Sequence, residues 1–175
     1  IATGNGDAKE TDDNGGSTPS NPNIENIEGT GEETKNDFSR YSIIANKNNA
    51  AEMDAATALS AKLTEKGFSL QINKSSIYEI IIGDSMIPEA KQALQELNAS
   101  TKDYIIKFLG TKIIIMAKNK LALTEACDTF YETYIKPMKN KSLTVKDGTT
   151  TFGIAQSIAI LSIGGISQYE IVFGN

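Results

Sequence analysis

The sequence predicts an α/β (α+β) two-layer sandwich over residues 38–138, with two main helices on a mixed five-stranded sheet. Two amphipathic stripes of helical period, five short runs of β-branched and aromatic residues, and their order β-α-β-β-(α)-β-β-α carry this expectation. C-terminal extended strands are expected to follow the last helix.

The first strand is Tyr41 to Ala45, built on Ile43 and Ile44. Asn48 or Asn49 then offers a side-chain acceptor to cap a helix running to about Lys66, and Gly67 suits the left-handed residue that ends one. Ala56, Leu59 and Leu63, with Met53 alongside, form its apolar stripe. Phe68, Leu70 and Ile72 alternate with polar residues, which predicts a strand with one exposed face. Tyr78 to Ile82 is a nearly continuous apolar run, the pattern of an interior strand covered on both sides.

Gly83-Asp84-Ser85 breaks that run, and residues 87–98 read as a short surface helix. Asp103–Phe108 and Lys112–Met116 flank a glycine-containing turn and predict a hairpin. A second long helix spans about Lys120 to Tyr134, with Leu123, Ala126, Phe130 and Tyr134 on one side, and Pro137 prevents much extension. Beyond it, Leu143–Lys146, Ile158–Ile163 and Tyr169–Phe173 read as extended segments, so residues 139–175 are expected either to complete this sheet or to begin a following domain.

Residues 1–37 are read as a disordered, acidic, solvated linker, because their scattered apolar side chains bury too little to offset ordering entropy. They hold nine acids against Lys9 and Lys35, whereas residues 38–175 hold thirteen acids and fifteen bases. The acidic balance is therefore a property of the N-terminal segment. With Arg40 as the single arginine and no dense lysine cluster, no phosphate-binding face for nucleic acid is expected.

The chain has no histidine, which removes the usual general base and the commonest zinc ligand. Cys127 is the only cysteine, so no internal disulfide forms, and its place on an apolar helix side marks it as a buried small hydrophobe. No stretch reaches the roughly 18–20 apolar residues of a membrane span. A Gly/Asn/Asp/Thr-rich start is similar to the tether of bacterial surface lipoproteins, which points to an extracellular or cell-surface setting. Ser39-Arg40-Tyr41-Ser42-Ile43-Ile44 is echoed by Ser167-Gln168-Tyr169-Glu170-Ile171-Val172. The echo suggests one module of a larger protein, its second copy opening another unit or adding a strand to this sheet.

The strand from Tyr41, the alanine-rich helix, the strand ending in Gly83-Asp84-Ser85, the hairpin from Asp103 to Ile115 and the helix ending in Phe130–Tyr134 together form a recognisable succession. It resembles the small non-catalytic α/β domain that precedes the catalytic barrel of family 20 β-hexosaminidases, found also at the N-terminus of α-glucuronidases. The resemblance covers about residues 38–138. It implies that catalysis, done in that family by an adjacent Asp-Glu pair, belongs to a barrel of about 250 residues. This chain has no Asp-Glu dipeptide. Ala117–Leu121 also stands where the enzymes often carry a glycine- or serine-containing turn toward the barrel, which puts a carbohydrate-facing role for that turn in doubt.

Gly83, Asp84 and Ser85 lie where an interior strand meets a loop, a favoured ligand position in open α/β sheets. The bland reading is a permissive glycine followed by a capping residue. Tyr104 completes the set of candidate interaction residues. The tyrosines Tyr41, Tyr78, Tyr104, Tyr131, Tyr134 and Tyr169 form a sugar-stacking platform only if exposed together; otherwise they pack half-buried. Glu125, Asp128 and Glu132 share a helix face expected to be solvated. Asp12, Asp13 and Asn14 do not fit the calcium-loop spacing. No catalytic residue, metal or cofactor is expected. The leading expectation is an accessory domain that positions a neighbouring domain of the same polypeptide; the alternative is a stand-alone glycan- or protein-binding surface module.

Overall fold

The computed structural model describes residues 21–83 and 87–156. Those residues fold as the expected mixed α/β sandwich, on a six-stranded main sheet with a small second sheet beside it. The strands are β1 (Ile24–Ile27), β2 (Glu33–Asp37), β3 (Ser42–Ala45), β4 (Glu79–Ile82), β5 (Tyr104–Leu109), β6 (Lys112–Ala117), β7 (Ser142–Lys146) and β8 (Thr150–Gly153). The helices are α1 (Ala50–Glu65), α2 (Pro88–Asn98) and α3 (Lys120–Phe130). The main sheet has the order β1-β8-β5-β6-β4-β3, and β2 pairs with β7 alone. β3, β4 and β6 run parallel, while β5, β8 and β1 join by antiparallel pairing.

The isoleucine runs are continuous because both sheet faces are covered. Ile43, Ile80, Ile82, Ile106, Ile113 and Ile115 share one core with α1 and α3. Ile81, Ile105, Ile114 and Met116 alternate with them to the opposite face, where Ala90, Ala93 and Leu97 of α2 pack. α2 thus supplies a helical layer of its own.

Local signals place the helix ends. The Asn49 side chain accepts the backbone N–H groups of Ala51 and Glu52, and Gly67 adopts φ +98° just past α1. Asn119 caps α3 through the Ala122 N–H at 2.9 Å. α3 ends earlier than its stripe implies: Tyr131–Ile135 form a π turn closed by the Lys136 N–H on the Tyr131 carbonyl.

Three expectations are corrected. Residues 24–27 and 33–37, read as linker, are strands. Strand formation there needs no core of their own, because β1 completes the free edge of β8 and β2 pairs with β7 through backbone groups. Their junction is tight: the Gly31 N–H donates to the Asp147 carbonyl, and a Cβ on Gly29 would lie 2.1 Å from that oxygen. Second, the domain does not stop at residue 138, since β7 and β8 belong to its two sheets; the segments 158–163 and 169–173 lie outside the described residues. Third, Phe68–Ile72 is no full strand and makes a single bridge, Ile43 to Ile72. Asn73 at φ +57° turns the chain away and its Oδ1 takes the Ala45 N–H at 2.9 Å, so a side chain replaces the next ladder bond.

One ionic contact lies between sheet and helix. Lys107 of β5 is buried, and its ammonium reaches both Glu96 carboxylate oxygens on α2, at 2.5 and 2.7 Å. Removing only the acid leaves a nearly buried cation without a counter-ion. Glu96→Ala is expected to lower stability by about 2 kcal/mol, discounted because Glu96 is part exposed, and added Lys107→Leu to recover most of it. Urea unfolding of the two variants checks this; a double variant no more stable than Glu96→Ala would sink it.

Candidate functional site

The carboxyl ends of β4 and β6 open into a crevice of about 270 Å³ between the N-termini of α1 and α3. Gly83 stands in its wall with φ +81°. A Cβ there would lie 2.2 Å from the Glu52 carboxyl carbon, so glycine is required both for backbone angle and for space. Glu52 is buried; its Oε2 accepts the Asn46 N–H at 3.0 Å and its Oε1 the Asn49 side-chain amide at 3.1 Å. Glu52 therefore ties the loop after β3 to the start of α1. Sequence reading passed over this residue, although Asn49-x-x-Glu52 has the spacing of a capping box.

Lys118 and Asn119, in the segment Ala117–Leu121, also line the crevice, but Asn119 is engaged as a cap and Lys118 bonds the Ser100 carbonyl. Asp84 and Ser85 lie outside the described residues. The remaining candidate, Tyr104, is a correction: it is 1% exposed, and its hydroxyl pairs with Thr129 Oγ1 at 2.8 Å. Its ring fills the space beside Gly153 and offers no face to a ligand.

Among the described residues, Tyr41, Tyr78 and Tyr134 do not form a shared platform either. Tyr41 is buried beside Tyr78, ring centroids 5.3 Å apart, and the Arg40 guanidinium covers the Tyr78 ring at 4.4 Å. Tyr134 packs edge-on to Phe108 at 4.6 Å and its hydroxyl meets Thr151 Oγ1. Tyr169 lies outside the described residues, as do Asp12, Asp13 and Asn14.

The acids on α3 and on the π turn after it have separate partners. Asp128 pairs with Lys62, Glu132 with Lys136, and Glu125 accepts the Gln156 N–H. Among the described residues no group of three or more His, Cys, Asp or Glu side chains is arranged to hold a metal. No helix among them is long and apolar enough to cross a membrane.

Cys127 is buried, and desolvation, with Asp128 adding to it, pushes its thiol up to about 12 from an ordinary 9.0, only partly opposed by Lys62. Burial likewise raises Tyr41, Tyr104 and Tyr134. Because these folded values lie above the unfolded ones, their stability contribution is complete below the unfolded values and is lost as pH climbs through the folded ones. Stability is expected to hold to about pH 8 and to decline between about 9 and 12. Urea midpoints across that range check it, with Cys127→Ala softening the first part of the fall. Native Cys127 should also resist a thiol reagent that labels it in urea; equal labelling rates would contradict its burial.

A six-stranded mixed sheet with helices on both faces defines the class as an α/β sandwich domain. No protein-family model matches the sequence, and no curated protein sequence matches it. Among solved structures, CpGH84D superposes with TM-score 0.51 at 12% identity, over 85% of this chain and 24% of that one. A GH20 exo-β-N-acetylglucosaminidase from Vibrio harveyi, solved with N-acetylglucosamine, gives 0.46 at 15% identity over 74% and 17%. A GH138 enzyme targeting pectin rhamnogalacturonan II gives 0.36 at 14% identity over 59% and 15%. The chain spans about a quarter or less of each. The likeness to CpGH84D is one of fold, and the other two overlaps are too low to argue from.

Proposed function

We propose that this chain is a non-catalytic accessory domain of a carbohydrate-processing protein, positioning a neighbouring domain of the same polypeptide at the cell surface or outside the cell. The observation that carries this reading is the superposition of 85% of the chain on about a quarter of CpGH84D. The sequence resemblance to the domain preceding the hexosaminidase barrel supports the same role. The engagement of Glu52, Asp128, Glu132 and Glu125 by separate partners supports it further, since glycoside hydrolysis needs two carboxyl groups facing one sugar.

The test is to produce the adjoining domain with and without this chain, and to compare its thermal stability and its hydrolysis of aryl N-acetylglucosaminides. The fused form is expected to melt higher and the isolated chain to be inactive. The reading fails if the isolated chain cleaves the substrate and one carboxylate substitution abolishes that activity. Protease accessibility on whole cells tests the surface location.

A further inference from the structure

β1 forms one edge of the main sheet, and its outer side has no partner strand among the described residues. The Ile154 N–H donates to the Asn23 carbonyl at 3.0 Å, which sets the alternation along β1. Glu25 and Ile27 therefore turn their backbone groups to β8, and Ile24 and Asn26 turn theirs outward. The Ile24 N–H is spent on the Asn21 carbonyl, which leaves the Ile24 carbonyl and both backbone groups of Asn26 along the edge. That edge is held in place, because the Asn26 side-chain oxygen accepts the Thr151 hydroxyl at 2.7 Å. Two of the three exposed large apolar side chains among the described residues, Ile27 and Ile154, stand at this side of the sheet.

A clasp of hydrogen bonds delivers the chain to the same edge. Three consecutive amides after β8 bind three parts of the fold: Ile154 donates to Asn23, Ala155 to the Asp103 carboxylate at 2.9 Å, and Gln156 to the Glu125 carboxylate at 3.0 Å. The Gln156 side chain also donates to Asn21 Oδ1 at 3.1 Å, just before β1. The first apolar run beyond that point is Ile158, Ala159, Ile160, Leu161 and Ile163 around Ser162; it is uncharged, rich in strand formers and followed by Gly164-Gly165. From β8 to the outer side of β1 is two strand spacings, about 10 Å, and the five steps from Gly153 to Ile158 span up to roughly 16 Å.

We propose that residues 158–163 add to the main sheet as a seventh strand, outside β1 and parallel to it. The run gives the open edge its backbone partners, shields Ile27, and removes an unpaired row that otherwise invites another chain. The added strand does not depend on the accessory role proposed above.

Amide hydrogen exchange of the full chain, read by NMR, tests this. The Asn26 amide and alternate amides of 158–163 are expected to exchange slowly at every protein concentration. Ile160→Pro and Leu161→Pro are compared, because one of the two removes a donor aimed at β1 whatever the register. At least one should speed Asn26 exchange by about tenfold, the worth of roughly one hydrogen bond, while amide shifts along β5 stay unchanged and show the fold intact. The proposal is overturned if Asn26 exchanges like an unstructured amide in the unaltered chain, or if both proline variants leave its rate unchanged. Protection that grows with protein concentration also overturns it and assigns the edge to a second copy.

Discussion

A chain that begins at Phe38 is expected to lose its cooperative fold. The cut removes β1 and β2, and with them nine backbone pairings, Ile24–Ile27 to β8 and Glu33–Asp37 to β7. β7 is then left with no partner strand, and a lone strand is not stable in water. The β8 edge that β1 covers becomes open as well, which invites association. The Phe38 N–H loses its register to the Lys141 carbonyl, at 2.7 Å, at the point where the ring enters the core between Phe68 and Phe130. The expected loss is of the order of a domain's whole stability, roughly 5 kcal/mol or more. Thermal and urea unfolding followed by circular dichroism measure it. If the shortened chain unfolds with unchanged midpoint and slope, the two strands contribute nothing and residues 1–37 are the linker their composition suggests.

The second large effect is expected at Gly153. A Cβ there would lie 1.9 Å from Tyr104 Cζ and 2.1 Å from its hydroxyl oxygen. That ring cannot step aside, because it is 1% exposed and anchored to Thr129. Gly153→Val is therefore expected to cost about 3 kcal/mol or more by overpacking, even though the strand backbone itself accepts a side chain. Tyr104→Ala alone should cost about 3–5 kcal/mol through the cavity it leaves. Together the two changes should cost less than their sum, since valine refills part of the vacated space. A double-mutant cycle by urea denaturation reads the coupling. Strict additivity would mean that the ring and residue 153 do not meet.

The two positions show why Tyr104 misleads as a candidate site residue. In sequence it begins an apolar strand, where a tyrosine usually keeps its hydroxyl at the rim. Gly153, nearly fifty residues further on, is what makes room for the ring inside the core. No local pattern announces that pairing. Gly83 differs: a glycine directly after an interior isoleucine run signals a backbone exception, and the structure supplies it at φ +81°. Its second cause, the closeness of the Glu52 carboxyl, again comes from a distant part of the chain.

By itself the sequence determined whatever depends on neighbours along the chain. Asn48 or Asn49 and Gly67 mark the ends of α1, and the apolar run Tyr78 to Ile82 marks β4 as an interior strand. Cys127 on its apolar helix side is likewise buried. Tertiary structure alone decided that α2 covers the opposite sheet face, that residues 24–27 and 33–37 of the acidic segment are strands, and that β8 lies between β1 and β5. The physical reason is the same in each case. Helix caps and side-chain periodicity act over a few residues and leave a local trace, whereas a strand is stabilised by backbone groups of a distant partner, to which composition is blind.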